Sequence, residues 1–174
     1  MTCREAMTDE PKVEQPSGDS KLPAKDTFRI LIMDSKEHTD QLKAACKDAG
    51  HSVVGAHTIE EAFAFLHGKD HADVIVCAAY LEGESLFEFL RRLKLDPTHK
   101  ETMFMTLALE PGPVGSGVNI STEKAGRLLG ADKFVSMPVF DADKLIAEIK
   151  QLLPRVPALE VSRLEKIEEI KKSD

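Results

Sequence analysis

Ala72-Asp73-Val74-Ile75-Val76-Cys77-Ala78-Ala79-Tyr80-Leu81-Glu82-Gly83 is an apolar run that gives way to a polar loop. Its apolar part is short, continuous and rich in β-branched residues, as suits a parallel strand buried on both faces. The carboxyl end of such a strand is where an open α/β sheet keeps its chemistry. Here that end is Cys77-Ala78-Ala79, and alanine methyl groups offer no nucleophile, acid or ligand.

Similar units lie on either side. Phe28-Arg29-Ile30-Leu31-Ile32-Met33 is an apolar run that stops at Asp34-Ser35 and reads as the first strand. Leu42, Ala45, Cys46 and Ala49 then fall on one helical face, and Gly50 supplies the stop. His51 to Ala56 is a short strand. Thr58 and Glu61 form a capping box for a helix through Ile59, Ala62, Phe63 and Leu66, ended by Gly68. After the opening strand, Ser85 and Glu88 form a second capping box, with Leu86, Phe89, Leu90 and Leu93 inward and Pro97 just beyond.

Met103 to Leu109 is the fourth strand, and Phe87, Phe89, Met103 and Met105 sit at core spacings. Glu110 to Ile120 holds two prolines and three glycines and reads as a long loop, before a helix from Thr122 to Leu129 closed by Gly130. Asp132 to Met137 is the fifth strand. Asp141 caps a last helix through Leu145, Ile146, Ile149, Leu152 and Leu153, which Pro154 and Pro157 terminate. This alternation predicts a doubly wound (βα)5 parallel sheet with helices on both faces, because crossovers are right-handed.

Residues 1–26 are polar, carry three prolines and lack periodicity, so they read as a disordered leader. The domain is expected over 27–154, and 155–174 as a linker and C-terminal helix with Val161, Leu164, Ile167 and Ile170. That segment is too short for a DNA-binding or catalytic output domain. A net charge of -7 argues against nucleic-acid and polybasic membrane partners. Cys3, Cys46 and Cys77 form no C-x-x-C pair and read as reduced cytosolic thiols. No run approaches the roughly 18–20 apolar residues of a membrane span, so a cytoplasmic protein is expected.

The order and spacing of several segments together resemble the receiver domain of two-component response regulators, from Phe28 to Leu153. They are Ile30-Leu31-Ile32-Met33-Asp34, Gly50-His51-Ser52-Val53-Val54, Asp73-Val74-Ile75-Val76 and Gly130-Ala131-Asp132-Lys133-Phe134 followed by Met137-Pro138. The resemblance implies a CheY-like, flavodoxin-like sheet of order 2-1-3-4-5. It also implies the family's reaction, transfer of a phosphoryl group to an aspartate. That needs a carboxylate nucleophile, two further acids for Mg²⁺, a hydroxyl and a lysine.

Position by position, the acidic pair of the family becomes Asp34-Ser35, the phosphoacceptor falls at Ala78, the hydroxyl residue at Leu107 and the lysine at Met137. The aromatic switch position is Phe134. A one-residue slip of the fourth strand would exchange Leu107 for Thr106, since strand side chains alternate. Asp73 lies at the wrong end of its strand, about 16 Å away at ~3.3 Å per residue. Glu82 and Glu84 lie in the adjoining loop and are expected to be solvated.

The reading is therefore a degenerate pseudo-receiver with no catalytic residue, no cofactor and no metal, acting through protein contacts independently of aspartyl phosphorylation. Its contact surface would be the family's helix 4–strand 5–helix 5 face, with Phe134, Val135 and Lys144, helped by Val161, Leu164 and Ile167 of the C-terminal helix. A homodimer is compatible with this. Two other readings are a small-ligand sensor using the 110–120 loop and an atypical phosphoacceptor. The six histidines are scattered over different elements, and His67 and His71 are split by Gly68, so surface histidines rather than a shared metal are expected.

Overall fold

The computed structural model describes residues 27–109 and 115–153. They alternate as β1 (Arg29–Met33), α1 (Lys36–Asp48), β2 (Ser52–Ala56), α2 (Ile59–Leu66), β3 (Val74–Ala78), α3 (Leu86–Leu95), β4 (Met103–Leu109), α4 (Gly115–Leu128), β5 (Lys133–Met137) and α5 (Ala142–Leu152). The sheet is parallel, of order β2-β1-β3-β4-β5. This is the flavodoxin-like arrangement expected. The leader 1–26, with Cys3, and the C-terminal segment with Val161, Leu164 and Ile167 lie outside the described residues.

Strand alternation sorts the core into two layers. Ile30, Ile32, Val74, Val76, Met105, Leu107, Val135 and Met137 meet Leu42 and Cys46 of α1 and Leu145 and Ile149 of α5. On the opposite face Leu31, Met33, Ile75, Cys77 and Phe104 meet Ile59, Ala62, Phe63 and Leu66 of α2 and Leu86, Phe89, Leu90 and Leu93 of α3. Every residue of β3 is buried, as an apolar run between two helical layers requires. On the α2–α3 face, Phe63, Phe89 and Phe104 stack edge to face at 5.6 and 5.8 Å.

The helix starts follow the sequence. The hydroxyls of Thr58 and Ser85 accept from the N–H groups of Glu61 and Glu88, and the Asp141 carboxylate accepts from Lys144. The return bond of the first box runs to His57 N–H rather than to Thr58. Gly50, with φ 85°, and Gly130, with φ 101°, turn the chain out of α1 and α4 in the left-handed region, where a side chain would be strained.

Some sequence expectations change. α4 begins at Gly115 rather than Thr122, so 115–120 is helix and 110–114 lies outside the described residues. Gly115 and Gly117 oppose a helix by about 1 kcal/mol each. Tertiary contact overrides that cost: Asn119 and Thr122 are buried, and Tyr80 Oη donates to Asn119 Oδ1 at 2.9 Å. Phe87, expected in the core, is exposed, whereas Phe89 and Met105 are fully buried. His51 and His99, expected at the surface, are buried.

His51 Nδ1 accepts from Phe28 N–H at 3.4 Å, and its Nε2 is buried with no hydrogen-bond partner among the described residues. Burial first, and the charge of Lys150 second, push its pKa below the ordinary 6.5. Between the folded and unfolded pKa values the unfolded chain binds more protons, so this contribution is complete above 6.5 and is lost as pH falls. Urea unfolding is expected at a lower midpoint at about pH 5.5 than at about pH 7.5, with the difference reduced in His51→Gln.

Candidate functional site

Parallel pairing brings the carboxyl ends of the strands to one edge of the sheet. Met33 pairs with Cys77, so Asp34 and Ala78 are the next residues out on adjacent strands. Ala78 pairs with Leu107, and Leu109 with Met137. The edge therefore gathers Asp34, Ala78, Leu107 and Met137, the positions where the sequence expected a reactive site. All four are buried, Asp34 at 5% and Ala78 at 6% exposure.

The register excludes the slip of β4. Cys77 pairs with Thr106 and Ala78 with Leu107, so the Thr106 side chain turns to the α2–α3 face with Cys77. Its hydroxyl is buried there with no partner among the described residues. Cys77 Sγ donates to the Ala78 carbonyl at 3.6 Å, and burial, then the nearby negative charge of Asp34, raises its pKa well above the ordinary thiol value. It is a packed thiol rather than a nucleophile.

Asp34 is buried at this edge and is engaged locally. Oδ1 accepts from Ser35 N–H at 2.6 Å and lies 3.3 Å from His38 Nδ1. Its backbone carbonyl accepts from the Thr39 hydroxyl at 3.2 Å and lies 2.9 Å from His57 Nδ1. Ser35, exposed, caps α1 through His38 N–H. Glu84, in the neighbouring loop, accepts from Ile59 N–H at 3.3 Å at the start of α2. Asp73 accepts from Arg29 N–H at 2.8 Å at the opposite edge. Met137 Sδ accepts from Asp141 N–H at 3.3 Å, a thioether helping the entry to α5.

These residues do not fit Mg²⁺. The ion demands several anionic or carbonyl oxygens, and Ala78, Leu107 and Met137 offer carbon and sulfur beside a single carboxylate already accepting hydrogen bonds. A cavity of about 370 Å³ lies elsewhere, between α1 and α5, lined by Ala45, Asp48, Ala49, Ala142, Asp143 and Ile146.

Phe134, at the switch position, pairs with Thr106 and is half-buried. Val135, expected to meet a partner, is 5% exposed within the α1–α5 layer and presents no surface, because alternation along β5 turns it inward. Lys144 is exposed. Leu128 and Val139, exposed at 88% and 80%, went unnoticed in the sequence, where nothing distinguishes them from core positions.

The fold is shared with response-regulator receiver domains. The chain is similar to a protein of Chloroflexus aurantiacus described as a response regulator, at 25% identity and TM-score 0.63 over 74% of this chain and 99% of that one. It is similar to the chemotaxis response regulator CheY4 of Vibrio cholerae, at 23% identity and TM-score 0.61 over 73% and 99%. It is also similar to the non-phosphorylated HemR receiver domain of Leptospira biflexa, at 23% identity and TM-score 0.58 over 74% and 97%. No protein-family model matches the sequence. No curated protein matches it either.

Replacing Ala78 by aspartate would bury a second carboxylate beside Asp34, and like charges at close range repel unless a cation lies between them. Ala78→Asp is expected to lower unfolding stability by about 1–3 kcal/mol. Millimolar Mg²⁺ should recover part of that loss in the variant while leaving the wild-type urea midpoint unchanged.

Proposed function

We infer that this chain is a non-enzymatic signalling module of receiver fold that works through protein contacts, independently of aspartyl phosphorylation. The observation that carries the reading is the pairing of Ala78 with Leu107 beside a hydrogen-bonded Asp34. The phosphoacceptor position holds a methyl group, and its surroundings hold carbon. Without a carboxylate nucleophile no acyl phosphate forms, and without a lysine or hydroxyl nothing neutralises or orients one.

Buried carbon at this edge favours one packing arrangement over an edge that must accommodate a charged phosphoryl group. The domain then keeps its contact face in one state and offers it constantly. The proposed face is α4–β5–α5, where Phe134 is half-buried and Leu128, Val139 and Lys144 are exposed. The ligand-sensor reading draws less support, since 115–120 forms the start of α4 rather than an open loop.

Amide NMR tests the proposal directly. Addition of Mg²⁺ with beryllofluoride, and separately of acetyl phosphate, is expected to leave the resonances around Asp34 and Phe134 in place. Saturable shifts at these two positions would overturn it. A second measurement concerns the face: once a binding partner is isolated, Lys144→Glu should weaken its capture by about tenfold if the charge sits centrally in the contact, with the fold unchanged by circular dichroism.

A further inference from the structure

At the sheet edge opposite Asp34 and Ala78, where α2 and α3 end, three metal-ligating side chains converge. His67 follows the last residue of α2, Asp96 follows the last of α3, and His99 lies three residues on. One ligand atom from each lies within 4.8 Å of the other two. The geometry points to a binding site for a divalent transition-metal ion of the zinc class, held by His67, Asp96 and His99, with its remaining coordination open to water.

Two imidazoles and a carboxylate suit zinc and its neighbours in the first transition row, and suit magnesium poorly. Bonds of about 2.0–2.2 Å in a tetrahedral arrangement place ligand atoms about 3.3–3.5 Å apart. His67 Nε2 and Asp96 Oδ2 are already 2.9 Å apart, and the widest separation in the trio must close by little more than about 1 Å. His67 is exposed and free to make that adjustment, whereas His99 is 5% exposed and fixed in place.

The supporting shell is built. The segment Asp96-Pro97-Thr98-His99 is a turn in which His99 N–H and Lys100 N–H both donate to the Asp96 carbonyl, at 3.1 and 2.9 Å. Thr98 N–H donates to Asp96 Oδ1 at 2.9 Å, leaving Oδ2 to face His67. Lys94 Nζ donates to the carbonyls of Lys100 and Thr102, each at 3.1 Å, closing the turn from outside. The His67 ring lies against Phe63 at 5.4 Å and His99 at 5.7 Å.

Arg92 stacks on Phe63 at 4.5 Å and pairs with Glu60. Metal entry displaces the proton that bridges His67 Nε2 and Asp96. In neutral His67 that proton moves to Nδ1, and from the imidazolium it passes to solvent, so charge balances in both cases. The bound ion would clip the ends of α2 and α3 together, about one strand length from the Ala78 edge.

The test is a titration of the full chain, freed of metal by chelator dialysis, with Zn²⁺ followed by calorimetry, and with Co²⁺ followed by its visible d–d absorption. One ion per chain is expected, with a Zn²⁺-dependent rise in Tm. Loss of an outer partner of a metal ligand typically costs ~10–100-fold in affinity, so His67→Ala and Asp96→Asn should each weaken Zn²⁺ binding by at least about tenfold. His67 is exposed, so its variant is expected to keep the fold, checked by circular dichroism, and the test does not depend on His99. Absence of saturable binding, binding unchanged in His67→Ala, or a sulfur-to-cobalt charge-transfer band that assigns the ion to a cysteine would each overturn the proposal.

Discussion

The structure hangs on the pairing of β3 with β1 on one side and β4 on the other. Burial of β3 on both faces leaves its backbone groups no partner but neighbouring strands, and an unpaired buried amide costs as much as a lost hydrogen bond. The register is thereby fixed to the residue. Because side chains alternate, a slip of one position would turn a charged or hydroxyl residue into the wrong layer. The same register that keeps Thr106 with Cys77 sets Leu107 beside Ala78. The edge is apolar as a consequence of pairing as much as of composition.

That edge sets a buried carboxylate, Asp34, beside carbon and sulfur side chains. A cluster of buried carboxylates is held together only by cations or by raised pKa values, and both expose the domain to its ligand state. Ala78, Leu107 and Met137 set no like charge beside Asp34, which serves as a local acceptor. Asp34 accordingly binds the start of α1 through Ser35 and His38, and Met137 assists the entry to α5. Asp34 and Met137 thus serve helix entry while Ala78 and Leu107 pack.

The opposite edge carries the polar convergence. Helices that return antiparallel to the strands deliver their last residues there, so His67 and Asp96 meet although 29 residues separate them. The rigid turn from Asp96 to His99 brings a third ligating atom into reach.

The sequence by itself determined the succession of elements, their caps and the two buried layers, because a strand's short apolar run, a helix's 3.6-residue stripe and a Thr or Ser before it are local signals. It also determined which residues occupy the positions at the ends of β1, β3, β4 and β5. It missed the early start of α4, since Gly115 and Gly117 argue locally for a loop while the docking of Asn119 against Tyr80 and the burial of Thr122 favour the helix. It took Val135 for a surface residue and the histidines for scattered ones. Only the tertiary structure decided the side to which Thr106 turns, the burial of His51 and His99, and the meeting of His67 with Asp96. Each depends on register or on helix ends brought together through space, and sequence spacing carries no distance between residues on different elements.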